Sequence, residues 1–277
     1  MNKKILFTDL DGTLIGSDGK ISEKDIKTLE YLGEKGITRV IATGRSLFSF
    51  QKSVKIKLPI DYMIFSTGAG ICEYPDMESC IINQKNLTGE DVKEIVRVFE
   101  DLGLNYMVHE KVPNNHIFHY KQIGKAKDFD HRLKVYSKYA NRINSNFHFN
   151  DSAQLLSIVD NDPNDEIINK VRESLPDYNV IKTTSPFDGK SLWIEVFPNN
   201  VSKSHAAKWL TEKIGLSKEN SLAIGNDYND LDLLEWAGKS VVVENTPLDM
   251  KNKFFTVKSN EESGVSEAIT AWLQNTI

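Results

Sequence analysis

Cysteines and long apolar runs are scarce in this sequence of 277 residues. The two cysteines, Cys72 and Cys80, are too few to staple a chain of this length, so we expect free thiols in a reducing compartment. No apolar run approaches the ~18 residues that a membrane-spanning helix needs. The N-terminus offers only Ile5-Leu6-Phe7, whereas a secretory signal needs about 7–15 apolar residues. These absences predict a soluble, cytoplasmic protein with no membrane partner.

Positive charge is also in deficit, with 34 Lys and Arg against 39 Asp and Glu, a net charge of −5. No overall basic field therefore attracts nucleic acid, and we expect no nucleic-acid partner. Hydrophobic residues make up 40% and charged residues 26%, which excludes a collagenous or disordered chain. The length is that of two domains or one large one.

Short, continuous apolar runs recur along both ends of the chain. Continuous runs are typical of strands buried on both faces, hence of a parallel sheet covered by helices. They are Ile5-Leu6-Phe7, Val40-Ile41-Ala42, Tyr62-Met63-Ile64-Phe65, Leu222-Ala223-Ile224 and Val241-Val242-Val243. Between the first two runs, Ser22 and Asp25 mark the start of a helix, so the pattern predicts a βαβ unit. The predicted fold class is α/β, with a Rossmann-like, doubly wound parallel sheet as its core.

The middle of the chain has a different pattern. Thr88 and Asp91 cap a predicted amphipathic helix, and short extended segments and further helices follow it. This pattern predicts an α+β unit inserted between two halves of the parallel domain. We place a first core segment at residues 1–83, an inserted α/β cap at 84–186 and a second core segment at 187–277.

The strongest chemical signal is Asp9-Leu10-Asp11-Gly12-Thr13, directly after the first predicted strand. Open α/β sheets bind ligands at the carboxyl ends of their strands. Two carboxylates brought together there repel each other unless a cation neutralises them, and Mg²⁺ is the natural candidate because it prefers oxygen ligands. The alternative is an Asp-rich turn that only caps the following helix.

Three further loops carry polar groups at strand or helix ends. Thr43-Gly44-Arg45 offers a hydroxyl and backbone N–H groups for a phosphate. Lys203 lies in the first turn of a helix capped by Ser202, where the helix dipole disfavours a cation unless an anionic cluster faces it. Gly225-Asn226-Asp227-Tyr228-Asn229-Asp230 adds two carboxylates and two amides. Taken alone, each of these loops could also be an ordinary helix cap or a solvated surface segment. Four loops that all carry acids, a hydroxyl or a lysine would rarely occur together by chance.

The order of these four motifs resembles the haloacid dehalogenase-like superfamily. With the insertion between the second motif and the lysine, the chain is similar to the Cof-type phosphatases and their relatives, the sucrose-phosphate and mannosyl-3-phosphoglycerate phosphatases. The resemblance covers the whole chain. It implies a Mg²⁺-dependent enzyme that acts on a small phosphorylated metabolite, with the inserted unit as a cap that selects the leaving group.

The resemblance also implies a role for each motif residue. Asp9 would be the nucleophile that forms an aspartyl-phosphate, and Asp11 the general acid and base, whose backbone carbonyl also binds Mg²⁺. Thr43 would hydrogen-bond the phosphoryl group, and Lys203 would neutralise its charge. The remaining expected phosphate-binding residues are Gly44, Arg45 and Asn229.

Two positions depart from the family pattern. The family usually has Asp as a metal ligand where this chain has Asn226, so either the Asn226 amide oxygen or the neighbouring Asp227 would take that place. Asp230 is expected to lie behind the ligands and to orient them. Relatives often have Asn-Gly-Ala after the third strand, and this chain has Thr67-Gly68-Ala69.

The predicted function is hydrolysis of a small-metabolite phosphomonoester, such as a sugar phosphate, through an aspartyl-phosphate. One alternative is a phosphomutase or phosphotransferase, which needs the same motifs but passes the phosphoryl group to an alcohol. Another is a non-catalytic phosphorylation switch. Such switch domains are about half this length and have no acid two residues after the phosphorylated Asp, so Asp11 and the insertion argue against it.

Overall fold

The computed structural model describes residues 4–160, 162–185 and 187–277. The chain forms two compact units, one from Met1–Asn83 with Ser202–Ile277 and the other from Gln84–Val201. Among the described residues, no helix is both long and apolar enough to cross a membrane.

The first unit is built on an eight-stranded sheet with the strand order β14-β13-β12-β1-β2-β3-β4-β5. The strands are β1 Ile5–Thr8, β2 Thr38–Ala42, β3 Tyr62–Phe65, β4 Gly70–Glu73, β5 Ile81–Gln84, β12 Ser221–Gly225, β13 Lys239–Val243 and β14 Phe255–Val257. From β14 to β3 every pair is parallel, and β4 runs antiparallel to β3. All five continuous apolar runs are strands of this sheet, so the predicted α/β fold with a parallel core is confirmed.

Helices of the first unit follow the strands. They are α1 Glu23–Glu34, α2 Leu47–Ser53, α6 Lys203–Lys213, α7 Leu231–Trp236, α8 Leu248–Lys251 and α9 Gly264–Leu273. The predicted cap of α1 is present, because Ser22 Oγ accepts a hydrogen bond from the Asp25 backbone N–H at 3.0 Å. Leu29 and Leu32 of α1 are fully buried, which is the amphipathic arrangement that holds such helices on a sheet.

The position of β1 at the centre of the sheet determines where the site lies. Thr8 pairs in parallel register with Ile224 of β12 on one side and with Ile41 of β2 on the other. Because parallel strands end at the same edge of a sheet, the residues that follow β1, β2 and β12 come together there. Three of the four motifs are those residues, and the remaining one, Lys203, begins α6 of the same unit.

The second unit has a six-stranded sheet in the order β10-β11-β9-β6-β7-β8. Its strands are β6 Tyr106–His109, β7 Phe118–Lys121, β8 Ala140–Arg142, β9 Leu155–Val159, β10 Tyr178–Thr184 and β11 Leu192–Pro198, and its helices are α3 Gly89–Asp101, α4 Lys127–Val135 and α5 Glu166–Ser174. Helices α3 and α5 pack on one face of the sheet, where Tyr106 and Val108 point, and α4 packs on the other through Phe129 against Met107.

The second unit ends later than the sequence predicts. Pro186, the predicted last residue of the insertion, lies outside the described residues. Strand β11 follows it and pairs antiparallel with both β9 and β10, so the core resumes at Ser202 and not at 187. Strand β11 begins with the apolar run Leu192-Trp193-Ile194, which resembles the short runs of the core strands, and Glu195 interrupts the run.

Candidate active site

Asp9 lies immediately after β1, at the carboxyl edge of the first unit's sheet. Its backbone N–H continues the strand ladder by donating to Ile224 O at 2.8 Å, and its side chain is almost fully buried. Burial, reinforced by the neighbouring Asp230 carboxylate, raises the pKa of Asp9 to about 7, although Lys203 acts in the opposite direction. A carboxylate in this environment needs cationic partners to stay ionised.

Lys203 supplies one such partner. It begins α6, and its side chain is completely buried. Its Nζ donates to Asp9 Oδ1 at 2.7 Å and to Asp230 Oδ1 at 2.6 Å. Burial by itself would lower the pKa of Lys203, but the carboxylates of Asp230 and Asp9 outweigh it and raise that pKa above its usual range. The alternative of a solvated surface lysine is therefore wrong, and the unfavourable helix-dipole position is offset by two ion pairs.

Asp230 also shapes the loop that carries Asn226. Its Oδ2 accepts hydrogen bonds from the backbone N–H groups of Asn226 at 2.9 Å and Asp227 at 3.1 Å. The Asp227 carboxylate in turn accepts from the backbone N–H of Asp230 and caps the short 3₁₀ turn Tyr228–Asp230. The acid that sequence reasoning offered as a replacement ligand is thus engaged in its own loop, as a helix cap.

The Asn226 amide faces Asp9 and the first motif. One terminal atom of the amide lies 3.0 Å from Thr13 Oγ1, 3.0 Å from the Asp11 carbonyl oxygen and 3.3 Å from Asp9 Oδ2. With nitrogen at this position the amide donates to all three, and two of them, the carbonyl and the carboxylate, can only accept. If the amide oxygen occupies this position instead, it lies beside the Asp11 carbonyl oxygen and Asp9 Oδ2, and the three oxygens could bind a cation together.

These oxygens fit a divalent cation that prefers hard ligands. Among the described residues, no three His, Cys, Asp or Glu side chains group closely enough to hold a metal ion. Asp9 Oδ2, the Asp11 carbonyl and the Asn226 amide form a mixed set instead, with one carboxylate charge. Carboxylate, carbonyl and amide oxygens are the hard ligands that Mg²⁺ prefers in proteins.

Arg45, which the sequence predicts as a phosphate-binding residue, lies beside the first motif. Its guanidinium forms an ion pair with the side chain of Asp11, with contacts at 2.6 and 2.7 Å. The Asp11 side chain keeps 46% of its exposure, so it points outward while its backbone carbonyl points to Asn226. Because Asp11 follows β1 and Arg45 follows β2, the sequence predicts that both lie at the carboxyl edge of the sheet. Their positions in the sequence do not predict that their side chains form an ion pair.

Thr43, Gly44 and Asn229 surround a second part of this edge. Thr43 is buried, and its Oγ1 accepts from the Arg45 backbone N–H at 3.1 Å. A Cβ built on Gly44 would lie 3.6 Å from Thr67 Oγ1 and 3.7 Å from Asn229 Nδ2. Thr67 thus lies beside two of the predicted phosphate-binding residues, and the departure from Asn-Gly-Ala is the only sequence signal at this position.

The chain resembles known proteins over nearly its whole length. The profile of the haloacid dehalogenase-like hydrolase family matches residues 6–269. The stress response protein YhaX of Bacillus subtilis is 28% identical over 274 residues, covering 96% of this chain and 92% of the relative. The 5-amino-6-(5-phospho-D-ribitylamino)uracil phosphatase YcsE of the same organism is 23% identical over 273 residues, covering 98% of this chain and 96% of the relative.

A solved sugar phosphatase of HAD subclass IIB shares the fold. It superimposes with a TM-score of 0.73 at 21% identity and covers 98% of this chain and 99% of its own. The predicted family and the prediction of a hydrolase are confirmed, because the family profile spans nearly the whole chain and includes all four motifs. The protein is a member of the haloacid dehalogenase-like hydrolases.

Proposed function

We propose that this hydrolase removes the phosphoryl group from small phosphomonoesters in the cytoplasm, with Asp9 as the nucleophile. The observation that carries the proposal is the contact between Lys203 Nζ and Asp9 Oδ1 at 2.7 Å, in a pair whose lysine is completely buried and whose carboxylate is almost fully buried. A lysine held there keeps a carboxylate of raised pKa ionised, and it lies where negative charge collects as phosphorus is attacked. The names of relatives that are phosphatases support the same reaction class.

In the proposed first step, an Asp9 carboxylate oxygen bonds to phosphorus as the ester oxygen leaves with its electron pair. The product is an aspartyl-phosphate, and the leaving oxygen takes a proton from Asp11. In the second step Asp11 removes a proton from water, whose oxygen bonds to phosphorus and releases Asp9. Because Arg45 holds Asp11 by two hydrogen bonds, a proton arriving on Asp11 has to replace at least one of them.

The cation that this family implies would be held by Asp9, the Asp11 carbonyl oxygen and Asn226. When bound, Mg²⁺ would neutralise charge on the phosphoryl oxygens and help to fix their position. Asp227 takes no part in this proposal, because its carboxylate caps the turn Tyr228–Asp230. Asp230 acts through Lys203 and through the backbone of the Asn226 loop.

We place sugar phosphates first among the substrates. The support is the shared fold with the sugar phosphatase of subclass IIB. The second unit, residues Gln84–Val201, is proposed as the cap that selects the leaving group.

The test is a panel of phosphorylated sugars and other metabolites assayed with Mg²⁺, with free phosphate and isomerised sugar phosphate measured separately. We expect free phosphate as the product, and isomerised product without free phosphate would indicate a mutase. Asp9→Asn should reduce turnover of an aryl phosphate below about a tenth of the wild-type rate, because an amide is not a nucleophile. Acid-quenched enzyme should carry phosphate on Asp9, and full activity of Asp9→Asn would exclude this intermediate.

A further inference from the structure

Thr67 has a backbone conformation that threonine rarely adopts. Its φ and ψ are 56° and 20°, in the left-handed region. Glycine and asparagine tolerate this region, whereas a β-branched side chain is strained in it. Backbone strain of this kind concentrates at functional sites, where the surrounding structure maintains it.

The hydroxyl group of Thr67 is also energetically unfavourable where it lies. The residue is completely buried, and within the described part of the chain its Oγ1 has no hydrogen-bond partner. Buried hydroxyls are nearly always hydrogen-bonded, because an unpaired one has lost its hydrogen bonds to water and gained none within the protein. Neither the strained backbone nor the unpaired hydroxyl is explained by the fold of this loop.

Neighbouring contacts hold the Thr67 loop in place. The Thr67 backbone N–H donates to Thr43 O at 3.1 Å. A Cβ on Gly68 would lie 2.2 Å from Ser202 O, so only glycine allows this approach to the residue before Lys203. The loop is therefore fixed between two residues that adjoin the proposed phosphate-binding groups.

The Thr67 hydroxyl shares one space with the Asn229 amide. A Cβ on Gly44 would be in ordinary van der Waals contact with both, at 3.6 Å from Thr67 Oγ1 and 3.7 Å from Asn229 Nδ2. The absent side chain of Gly44 thus leaves room between two hydrogen-bond donors. An oxyanion accepts hydrogen bonds from such donors and carries no proton of its own to compete.

We propose that Thr67 Oγ1 donates a hydrogen bond to an oxygen of the substrate's phosphoryl group, beside Asn229 Nδ2. The inference rests on the proposed phosphatase function and adds a phosphate-binding residue at the position where relatives often have Asn. The Thr67 proton stays on its oxygen throughout, and no bond is made or broken there. The left-handed backbone directs the hydroxyl to this space.

The test compares Thr67→Val, which has the same shape without the hydroxyl, with Thr67→Ser, which keeps it. The probes are inorganic phosphate and vanadate, whose binding is measured directly, together with KM and kcat for one aryl phosphate. We expect Thr67→Val to weaken phosphate and vanadate binding about tenfold, the loss of one hydrogen bond to an anion, and Thr67→Ser to retain most of the affinity. Thermal unfolding of Thr67→Val should be unchanged or shifted upward, because a buried unpaired hydroxyl is removed.

Gly44→Ala is the second variant. Its added methyl group meets no atom closer than 3.6 Å, so we expect it to fold and to lose phosphate binding by filling the space between the donors.

Wild-type phosphate affinity in Thr67→Val would overturn the inference, and so would a raised KM with unchanged phosphate and vanadate binding, since the hydroxyl would then contact the leaving group. Turnover in the wild type with no effect of Thr67→Val refutes only this inference. Phosphate binding that depends on Thr67, without turnover of any ester, refutes only the proposed function.

Discussion

The Arg45 guanidinium holds the Asp11 carboxylate at two points, with Nε 2.7 Å from Oδ2 and Nη2 2.6 Å from Oδ1. The two side chains keep 25% and 46% of their exposure. A pair exposed to this degree contributes only about 0–1 kcal/mol to the free energy of unfolding. Its main effect is therefore geometric, since the planar fork fixes the orientation of the proposed general acid.

The first prediction concerns Arg45→Lys, which keeps the charge and loses the fork. The rate on an alkyl phosphate, whose leaving group needs a proton, should fall several-fold more than the rate on nitrophenyl phosphate. Asp11→Asn should show the same selectivity with a larger loss, because the proton donor itself is removed. Urea unfolding should change by no more than about 1 kcal/mol. Equal losses on both substrates would mean that Arg45 does not act through Asp11.

The second prediction concerns the buried ion pairs of Lys203. Lys203→Met should lower the free energy of unfolding by about 3–5 kcal/mol, because Asp9 and Asp230 would remain buried with no cation. Urea unfolding followed by circular dichroism measures the loss. The control is Lys208→Met, in the same helix but exposed, which we expect to change stability by less than about 0.5 kcal/mol. Similar effects of both variants would contradict the role of the ion pairs.

The parallel core was predictable because its strands are buried on both faces. A run such as Val241-Val242-Val243 has no polar residue to alternate with, and this pattern separates a buried parallel strand from a half-exposed one. The end of the second unit was not predictable on the same basis. Strand β11 also begins with three apolar residues, and its antiparallel pairing with β9 and β10 depends on distant residues that no local pattern encodes.

The site was predictable to the extent that strand ends determine it. Asp9 and Asn226 follow neighbouring parallel strands, so the sheet brings them together without any further information. Contacts between side chains were harder to predict from the sequence. The two-point contact of Arg45 with Asp11 depends on the rotamers of both side chains. Thr67 stood out in the sequence only as a departure from Asn-Gly-Ala, because its left-handed backbone and its unpaired hydroxyl cannot be identified from composition.

The third prediction concerns Asn226→Asp. The new carboxylate would face Asp9 Oδ2 and the Asp11 carbonyl, which the amide contacts at 3.3 and 3.0 Å. Calorimetric titration without substrate should show Mg²⁺ binding about tenfold tighter or more, because ligand charge strengthens binding of this ion. In EDTA the same variant should melt at a lower temperature than the wild type, since a donor is replaced by a like charge. Unchanged Mg²⁺ affinity would show that residue 226 does not reach the ion.

Asp227→Asn is the matched control for that experiment. Its carboxylate caps the turn Tyr228–Asp230, and an asparagine caps almost as well. We expect its Mg²⁺ affinity to stay within about twofold of the wild type, because the ligand charge at the ion is unchanged. A large loss of affinity in Asp227→Asn would transfer the ligand role to Asp227.

The last prediction concerns His109 in the second unit and the stability of the protein in acid. Burial, aided by the nearby Arg132 cation, lowers the pKa of His109 to about 3, against the opposing hydrogen bond to Asn115 O at 2.7 Å. The unfolded chain takes up this proton near pH 6.5 and the folded protein does not, so stability falls as the pH drops from about 6.5 towards 3. His109→Asn, which keeps a donor at the Nδ1 position, should flatten the decline of the melting temperature between pH 6.5 and 4. The exposed His148→Asn should leave the decline unchanged, and equal slopes for wild type and His109→Asn would show that His109 is not its source.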